Sequence, residues 1–314
     1  MWRNRDLVSL SDFTRRDIEK VFKQADIFLE AKLASLRLLD GKILATAFFE
    51  PSTRTRLSFE SAMHRLGGTV IGFSSAEGTS MEKGESVEDT IRMLDNYSDI
   101  IAVRHREDGV MRRLAKIAEH PVINAGEGQS SHPTQTLIDL YTILKEKKSI
   151  EGLSYGVMGD LKHARTAKDF IRGLSIFGVK EVSLIAPSSL MPGEDFTREL
   201  EEKGVAFKKY SRIEEVIGGL DILYVVRLQA ERFSDRSEAE KLKKSYAVNV
   251  KTLEQAKKSL RVLHPLPRVD EVSSDVDNTQ HAAYFKQVFY SIPVRMAVLS
   301  LILTDVEKLE EGLI

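Results

Sequence analysis

The sequence predicts an α/β fold with two doubly wound domains, each built on a parallel sheet. Short, nearly continuous apolar segments alternate with segments in which apolar residues recur every three or four positions. This pattern is typical of strands that are buried on both faces and separated by helices. The chain has 314 residues, a length that suits two domains, each burying its own core.

The predicted strands form two groups, one in each half of the chain. They are 43–49, 69–73, 99–103 and 121–124, followed by 154–158, 181–186, 205–208, 221–226, 246–248 and 261–263. The predicted helices between them are 53–66, 85–96, 110–118, 134–147, 165–177, 194–203, 213–218, 238–244 and 252–258. We also expect a helix within the first forty residues and a last one over about 278–311, which Pro293 interrupts because proline cannot donate a backbone hydrogen bond.

The helix predicted at 134–147 can connect the two groups of strands, and the last helical stretch can return to the first group. We therefore expect one domain over 1–133 together with 287–314, and a second domain over 134–286. Both domains are Rossmann-like, since helices cover both faces of each sheet. No Gly/Ser-rich linker separates them, so we expect tightly joined domains with the active site in the cleft between them.

Composition narrows the classes of function. A net charge of −1 and a pI near 6.7 argue against a general affinity for nucleic acid. The absence of cysteine excludes thiolate metal sites and cysteine nucleophiles, and no histidines or carboxylates have metal-site spacing. The N-terminus has no signal-peptide pattern, and the apolar run Met296–Thr304 is too short to cross a bilayer. We therefore expect a cytoplasmic protein with no metal, no membrane contact and no nucleic-acid partner.

The first predicted strand is followed by Ser52-Thr53-Arg54-Thr55-Arg56, which opens the next helix. Three hydroxyls and two guanidiniums there join the unpaired N–H groups of a helix N-terminus, a combination that suits a phosphate. The glycine spacing of a P-loop is absent. Taken singly, Ser52 or Thr53 could be a helix cap and the arginines surface residues. Taken together, the cluster predicts an anion site.

Further hydrogen-bond donors follow other predicted strands. They are Arg104, His132 with Gln135, Arg165 with Thr166, Arg227 with Gln229, and the segment His264–Arg268. Arg104 is as compatible with a structural ion pair as with a ligand contact, and the polar loop 75–85 by itself indicates a solvated surface. Because ligands bind beyond the carboxyl ends of strands in open α/β sheets, the set favours an enzyme that binds two small anions. Such an enzyme would act by positioning and charge stabilisation.

Three motifs, in this order, resemble the carbamoyltransferase family over nearly all of the chain. They are Phe-Phe-Glu-Pro-Ser-Thr-Arg-Thr-Arg at 48–56, His-Pro-Thr-Gln at 132–135 and His-Pro-Leu-Pro-Arg at 264–268. Ornithine-type members carry Ser-Met-Gly and His-Cys-Leu-Pro at the later positions, whereas this chain has Val226-Arg227-Leu228-Gln229 and His264-Pro265-Leu266-Pro267. The resemblance is therefore to the aspartate type, because a dicarboxylate substrate needs guanidiniums that would repel the cationic side chain of ornithine.

The resemblance implies transfer of the carbamoyl group from carbamoyl phosphate to the α-amino group of L-aspartate, without a cofactor. The products are N-carbamoyl-L-aspartate and phosphate, and the reaction is the committed step of de novo pyrimidine biosynthesis. Alternatives that stay open are an ornithine-type or other carbamoyltransferase, and a non-catalytic subunit that binds carbamoyl phosphate.

The resemblance also assigns roles to residues that bind carbamoyl phosphate, the first substrate to bind. The phosphate is held by Ser52, Thr53, Arg54 and Thr55. The carbonyl oxygen is polarised by Thr55, Arg104 and His132, and Arg104 also reaches the phosphate. The carbamoyl amine is bound by Gln135 and by the carbonyl groups of Pro265 and Leu266. The expected catalytic set is therefore Arg54, Thr55, Arg104 and His132.

Aspartate and the partner subunits complete the implied site. The carboxylates of aspartate meet Arg165, Arg227 and Gln229, with Thr166 nearby. The family is trimeric, so Ser80 and Lys83 are expected to reach the active site of a neighbouring subunit. Lys83 aligns through Gly84-Glu85, although one residue fewer than in some members separates it from Ser80. Attachment of regulatory chains is left open. Arg56 has no ligand role, and we expect it to pair with Glu50 or Glu60.

Overall fold

Two parallel sheets organise the chain in a computed structural model, which describes residues 2–33, 36–228 and 246–305. Each sheet lies in its own unit, and the unit boundaries fall at Leu137–Ile138 and at Phe289–Tyr290. The predicted fold class, two α/β domains on parallel sheets, is confirmed.

The first unit contains a four-stranded sheet in the order β2-β1-β3-β4. Its strands are β1 (Ile43–Phe48), β2 (Thr69–Phe73), β3 (Ile100–His105) and β4 (Val122–Glu127). Its helices are α1 (Arg15–Glu30), α2 (Thr53–Arg65), α3 (Val87–Asp95) and α4 (Val110–Ala115), and α5 (Pro133–Lys147) begins in this unit. Side chains from β1 and β3, such as Ala45 and Ile101, pack against Ile91 of α3 and Met111 of α4 to form the core.

The second unit contains a five-stranded sheet in the order β7-β6-β5-β8-β9. Its strands are β5 (Tyr155–Gly159), β6 (Glu181–Ile185), β7 (Ala206–Tyr210), β8 (Ile222–Val226) and β9 (Arg261–Leu263). The helices that follow α5 are α6 (Arg165–Ile176), α7 (Glu194–Glu202) and α8 (Val250–Leu253). The last helix, α9 (Tyr284–Leu303), begins in this unit and continues into the first unit from Tyr290. Met158 and Leu223 lie in one core cluster with Ile217 and Leu260, which precede β8 and β9.

The strand order reverses once in each sheet, and the reversals place the predicted donors. In the first sheet β1 and β3 are neighbours at the reversal, and in the second sheet β5 and β8 are neighbours. Ligands of doubly wound sheets bind beyond the carboxyl ends of such strands. The cluster 52–56 follows β1 and Arg104 is the second-last residue of β3, while Arg165 and Arg227 follow β5 and β8.

Three predicted elements in the second unit were wrong in kind or extent. Residues 246–248 form no strand, and only Val248 makes a single bridge, to Val272. The stretch 213–218 consists of two 3-10 turns, and the helix predicted at 252–258 is the four-residue α8. Packing against the sheet, and not the spacing of apolar residues, determines the conformation of these segments, because intrinsic propensity is weak over so few residues. The helix predicted at 238–244 lies outside the described residues.

The last helix, α9, continues through Pro293, contrary to the predicted interruption. The turn after the proline is fully buried at Val294, Met296 and Ala297, so packing offsets the hydrogen bond that proline removes. The helix has 20 residues, from Tyr284 to Leu303, so it is shorter at both ends than the predicted stretch 278–311. Its length and apolar composition would allow it to cross a membrane, but 67% of that stretch is buried inside the structure, as in the core helix of a globular domain.

Candidate active site

The N-terminus of α2 presents the predicted anion site. Ser52 is the N-cap residue, with an extended backbone and no capping hydrogen bond from its side chain. Because the N–H of Arg56 already donates to the Ser52 carbonyl at 3.1 Å, the N–H groups of Thr53, Arg54 and Thr55 are those that lack an acceptor within the helix. They point out at the positive end of a 13-residue helix. The Ser52 side chain is therefore not used to cap the helix.

The two arginines of the cluster separate into different environments. Arg56 donates from Nη1 to Oε1 of Glu60 at 2.8 Å, one turn further along α2, which confirms its predicted structural pairing. Arg54 is exposed beside the buried Thr55. Arg54 is therefore the arginine of this cluster that remains predicted to meet an anion.

Arg104 lies at the carboxyl end of β3, directly beside Phe48 of β1. Its Nη2 atom is 2.8 Å from Oε1 of Glu50, and its Nη1 atom donates to the Ala125 carbonyl at 3.3 Å. The structural ion pair considered from the sequence is thus present. It does not remove the guanidinium from the predicted site, because Glu50 holds it at the end of the strand that adjoins the α2 cluster.

The side chains of Arg104 and His132 both lie beside Gly126. Its φ is +118°, a value that side chains rarely allow. A Cβ atom there would lie 2.8 Å from Nη1 of Arg104 and 3.4 Å from Cδ2 of His132. Both side chains therefore lie against the bare face of this glycine. Sequence reasoning gave Gly126 no functional weight, although a glycine inside a strand is a signal of close approach.

His132 is fixed by the start of α5. Its carbonyl accepts the N–H groups of Gln135 and Thr136 at 3.0 and 3.2 Å, and Pro133 occupies the first helical position, where its missing N–H costs nothing. The ring is buried, with Nδ1 at 3.4 Å from the Thr134 hydroxyl. Gln135 thus lies in the first turn of the helix that His132 begins.

The predicted intersubunit loop contains a 3-10 turn at Ser80–Lys83. Thr79 caps it by accepting the Met81 N–H at 3.4 Å, and Gly84 ends it with a φ of +95°. Ser80 and Lys83 are both exposed, as a contact with another molecule requires.

In the second unit, Arg165 and Arg227 follow the two strands at the reversal. Arg165 is the first residue of α6, and Arg227 comes directly after β8 with Nη1 at 3.4 Å from the Leu228 carbonyl. Gly159, at the end of β5, has a φ of +121° and closely approaches the Val226 carbonyl, so a Cβ atom would not fit. The glycine keeps the ends of β5 and β8 together. Gln229 lies outside the described residues.

The loop after β9 is held by His264. The Leu266 N–H donates to Nδ1 of His264 at 2.8 Å, and Nε2 lies 2.7 Å from Oε1 of Glu271. This pattern assigns the proton to Nε2 of a neutral ring. Burial alone would raise the pKa of Glu271, but the hydrogen bond from His264 and those from the backbone outweigh it, and the pKa lies below its usual value. Leu266 has a φ of +55°, and this ring fixes the residue whose carbonyl is a predicted ligand contact.

The chemistry of the two units differs. The first offers hydroxyls, helix N–H groups and Arg54 for a phosphate, with Arg104 and His132 close together for a polarised oxygen. The second offers two guanidiniums for carboxylates. Among the described residues, no group of three or more His, Asp or Glu side chains could hold a metal ion.

Comparison with known proteins gives matches over almost the whole chain. The family model described as "Aspartate/ornithine carbamoyltransferase, carbamoyl-P binding domain" matches residues 5–145, and its counterpart "Asp/Orn binding domain" matches residues 151–302. The aspartate carbamoyltransferase catalytic subunit of Thermococcus gammatolerans is 53% identical over 305 residues, which are 96% of this chain and 98% of the relative.

Solved structures agree with these matches. The catalytic subunit of M. jannaschii aspartate transcarbamoylase has a TM-score of 0.89 at 43% identity, covering 98% of this chain and 99% of that one. Aspartate transcarbamoylase from Trypanosoma cruzi, in complex with carbamoyl phosphate and aspartate, has a TM-score of 0.89 at 36% identity, covering 96% of both chains.

Proposed function

The chain belongs to the aspartate/ornithine carbamoyltransferase family, and from this premise we propose that it transfers the carbamoyl group of carbamoyl phosphate to L-aspartate. The products are N-carbamoyl-L-aspartate and phosphate. This reaction is the committed step of de novo pyrimidine biosynthesis. The observation that carries the choice of aspartate over ornithine is the pair Arg165 and Arg227 beyond β5 and β8. Two guanidiniums attract a dicarboxylate and repel a cationic side chain.

The first unit binds carbamoyl phosphate in this proposal. The phosphate lies at the N-terminus of α2 against Ser52, Thr53, Arg54 and Thr55. The carbonyl oxygen accepts hydrogen bonds from Thr55, Arg104 and His132, and the amine donates to Gln135 and to the carbonyls of Pro265 and Leu266. The anion-binding geometry of a helix N-terminus supports the phosphate end, and the shared position of Arg104 and His132 at Gly126 supports the carbonyl end.

The second unit binds aspartate through Arg165, Arg227 and Gln229, with Thr166 beside them. The neutral α-amino nitrogen attacks the carbonyl carbon, and the carbonyl π electrons move to the oxygen. As the tetrahedral intermediate collapses, the bond from carbon to the phosphate oxygen breaks. Phosphate leaves with the electron pair and accepts the proton of the amine. Arg104, His132 and Thr55 stabilise the negative oxygen, and preorganised donors of this kind contribute most of the rate enhancement in such reactions.

We further propose that the enzyme is a cytoplasmic homotrimer whose exposed Ser80 and Lys83 complete the site of a neighbouring subunit. In this proposal the active sites are complete in the trimer, and regulatory chains would bind in addition to it. The exposure of both side chains on a capped 3-10 turn supports this assignment.

A steady-state assay with carbamoyl phosphate tests the function, with aspartate and ornithine as alternative acceptors. We expect carbamoyl aspartate and phosphate in equal amounts, and no citrulline. Turnover of ornithine would assign the chain to the other branch of the family. Binding of a bisubstrate analogue without turnover would indicate a non-catalytic subunit. The mass of the native protein, measured in parallel, tests the trimer.

A further inference from the structure

Buried contacts link residues 165–166, at the start of α6, with the loop 265–266 in the second unit. Thr166 lies close enough to Tyr224 for its side chain to lower the pKa of that phenol, against the larger effect of burial. The Tyr224 hydroxyl donates to Oδ2 of Asp139 at 2.9 Å. Oδ1 of Asp139 accepts Nε2 of Gln287 at 2.6 Å. The path then continues to the loop 265–266, since Oε1 of Gln287 accepts the His264 N–H at 2.9 Å and Nδ1 of His264 accepts the Leu266 N–H.

The middle of this path lies in the core. Asp139, Tyr224, Gln287 and His264 are each at most 1% exposed. A buried carboxylate is stable only when its oxygens accept hydrogen bonds, so Asp139 requires the donors on both sides of it. Burial and the negative charge of Asp139 raise the pKa of Tyr224 well above its usual value, which keeps the phenol a donor at neutral pH.

The direction of each bond is set by its neighbours. Asp139 can only accept, so Gln287 must turn its amide nitrogen toward Asp139 and its oxygen toward the His264 N–H. Rotating the Gln287 amide would break both bonds at once. Fully satisfied buried networks of this kind are rigid and hold one geometry.

We propose that the network Thr166–Tyr224–Asp139–Gln287–His264 sets the position of residues 165–166, at the start of α6, relative to loop 265–266, with Asp139 and Gln287 as positioning residues. The proposal rests on the proposed function, because it takes residues 165–166 as contacts of aspartate and residues 265–266 as contacts of the carbamoyl amine. Neither positioning residue touches substrate. They act by fixing the distance between groups that must meet the two reactants together, and misplacement by about 1 Å lowers rates on the order of a hundredfold.

An exchange of donor and acceptor tests the network directly. Gln287→Glu sets two carboxylates against each other, and Asp139→Asn leaves a single oxygen for the two donors Tyr224 and Gln287, so each variant should lower kcat/KM for aspartate about ten- to a hundredfold. The double variant Asp139→Asn with Gln287→Glu can restore the bonds from Tyr224 to residue 139, between residues 139 and 287, and from the His264 N–H to residue 287, with the same total charge. We expect it to recover to within about threefold of the wild-type value. A double variant no better than the weaker single variant would overturn the proposal.

A milder pair of variants covers the case in which those proteins do not fold. Tyr224→Phe removes the bond to Asp139 but keeps the ring stacked on Phe170 at 4.2 Å. Tyr155→Phe is the matched control, because its buried hydroxyl donates to the Ile150 carbonyl at 2.6 Å and its ring also contacts Phe170. We expect Tyr224→Phe to lower kcat/KM for aspartate about tenfold or more, with affinity for inorganic phosphate unchanged, and Tyr155→Phe to alter neither. Equal kinetics in the two variants would refute the network's role.

Amide hydrogen exchange separates this proposal from the proposed function. Tyr224→Phe should speed exchange in the segment 264–268 several-fold, and Tyr155→Phe should not. Unchanged exchange in Tyr224→Phe would overturn the coupling between the two segments, whatever the enzyme acts on. Suppose that the wild-type protein is inactive with aspartate, while exchange in 264–268 is faster in Tyr224→Phe and unchanged in Tyr155→Phe. That result would overturn the proposed function and leave the coupling between the two segments established.

Discussion

The substitution Gly126→Ala tests whether Arg104 and His132 form one carbonyl-polarising site. The new methyl would lie 2.8 Å from Nη1 of Arg104 and 3.4 Å from Cδ2 of His132, so the guanidinium must shift. The backbone at a φ of +118° would cost an alanine about 1–2 kcal/mol, and overpacking adds about 1–3 kcal/mol. A displacement of Arg104 by a fraction of an ångström to 1 Å should lower kcat/KM for carbamoyl phosphate about ten- to a hundredfold.

Gly109→Ala supplies the control in the same unit. Gly109 has a φ of +79°, but a Cβ atom there meets nothing within 4 Å, so this variant carries the backbone cost without the contact. The assay varies carbamoyl phosphate at saturating aspartate, with thermal unfolding measured in parallel. We expect both variants to lose stability and only Gly126→Ala to lose catalytic efficiency. If Gly126→Ala keeps wild-type kinetics, Arg104 does not need the position that the structure gives it.

Three further outcomes are expected. Arg54→Ala should lower turnover by about a hundred- to a thousandfold or more while the fold survives, because a preorganised donor to the phosphate is lost; near-native kinetics would remove Arg54 from the mechanism. Inactive Arg54→Ala and Lys83→Ala proteins should regain partial activity after subunit exchange, and failure to do so in exchanged trimers would contradict the shared site. Since the pKa of Glu271 is held below its usual 4.5, its carboxylate stabilises the fold above that pH, and the contribution is lost as the pH falls through the lower folded value. Between about pH 6 and 3, the melting temperature of Glu271→Gln should therefore fall less than that of the wild type. An equal fall in the two proteins would refute this linkage.

The sequence was informative about the strands and about the donors that follow them. Apolar runs bounded by turn signals predict strands from local sequence alone, and β2 and β9 agree with their predicted bounds residue for residue, although β2 is an edge strand with no fully buried residue. The donors are also local, since Ser52 to Thr55 and His132 each lie next to a strand–helix boundary. The order of the strands is not local. Only the structure shows that the sheets reverse at β1–β3 and β5–β8, which places the donors of each unit at the carboxyl ends of neighbouring strands in that unit's own sheet.

The supporting contacts could not be predicted, because their partners are far apart in sequence. Glu50 holds Arg104 across 54 positions, and Gln287 reaches Asp139 across 148. A glutamine and an aspartate inside helices have ordinary solvated alternatives, and nothing in the neighbouring residues distinguishes the buried ones. The same reason explains the error at Pro293, where burial of the following turn outweighs a local helix-breaking signal.

The supporting contacts share one physical role. Glu50 aligns Arg104, Gly126 admits Arg104 and His132 side by side, and His264 fixes the Leu266 backbone. Dipoles and charges accelerate a reaction when they are already in place before the transition state forms. Each predicted donor therefore needs a second residue that holds it before substrate arrives. The residues that touch substrate can be found from local sequence, whereas the residues that make them effective are defined by the fold.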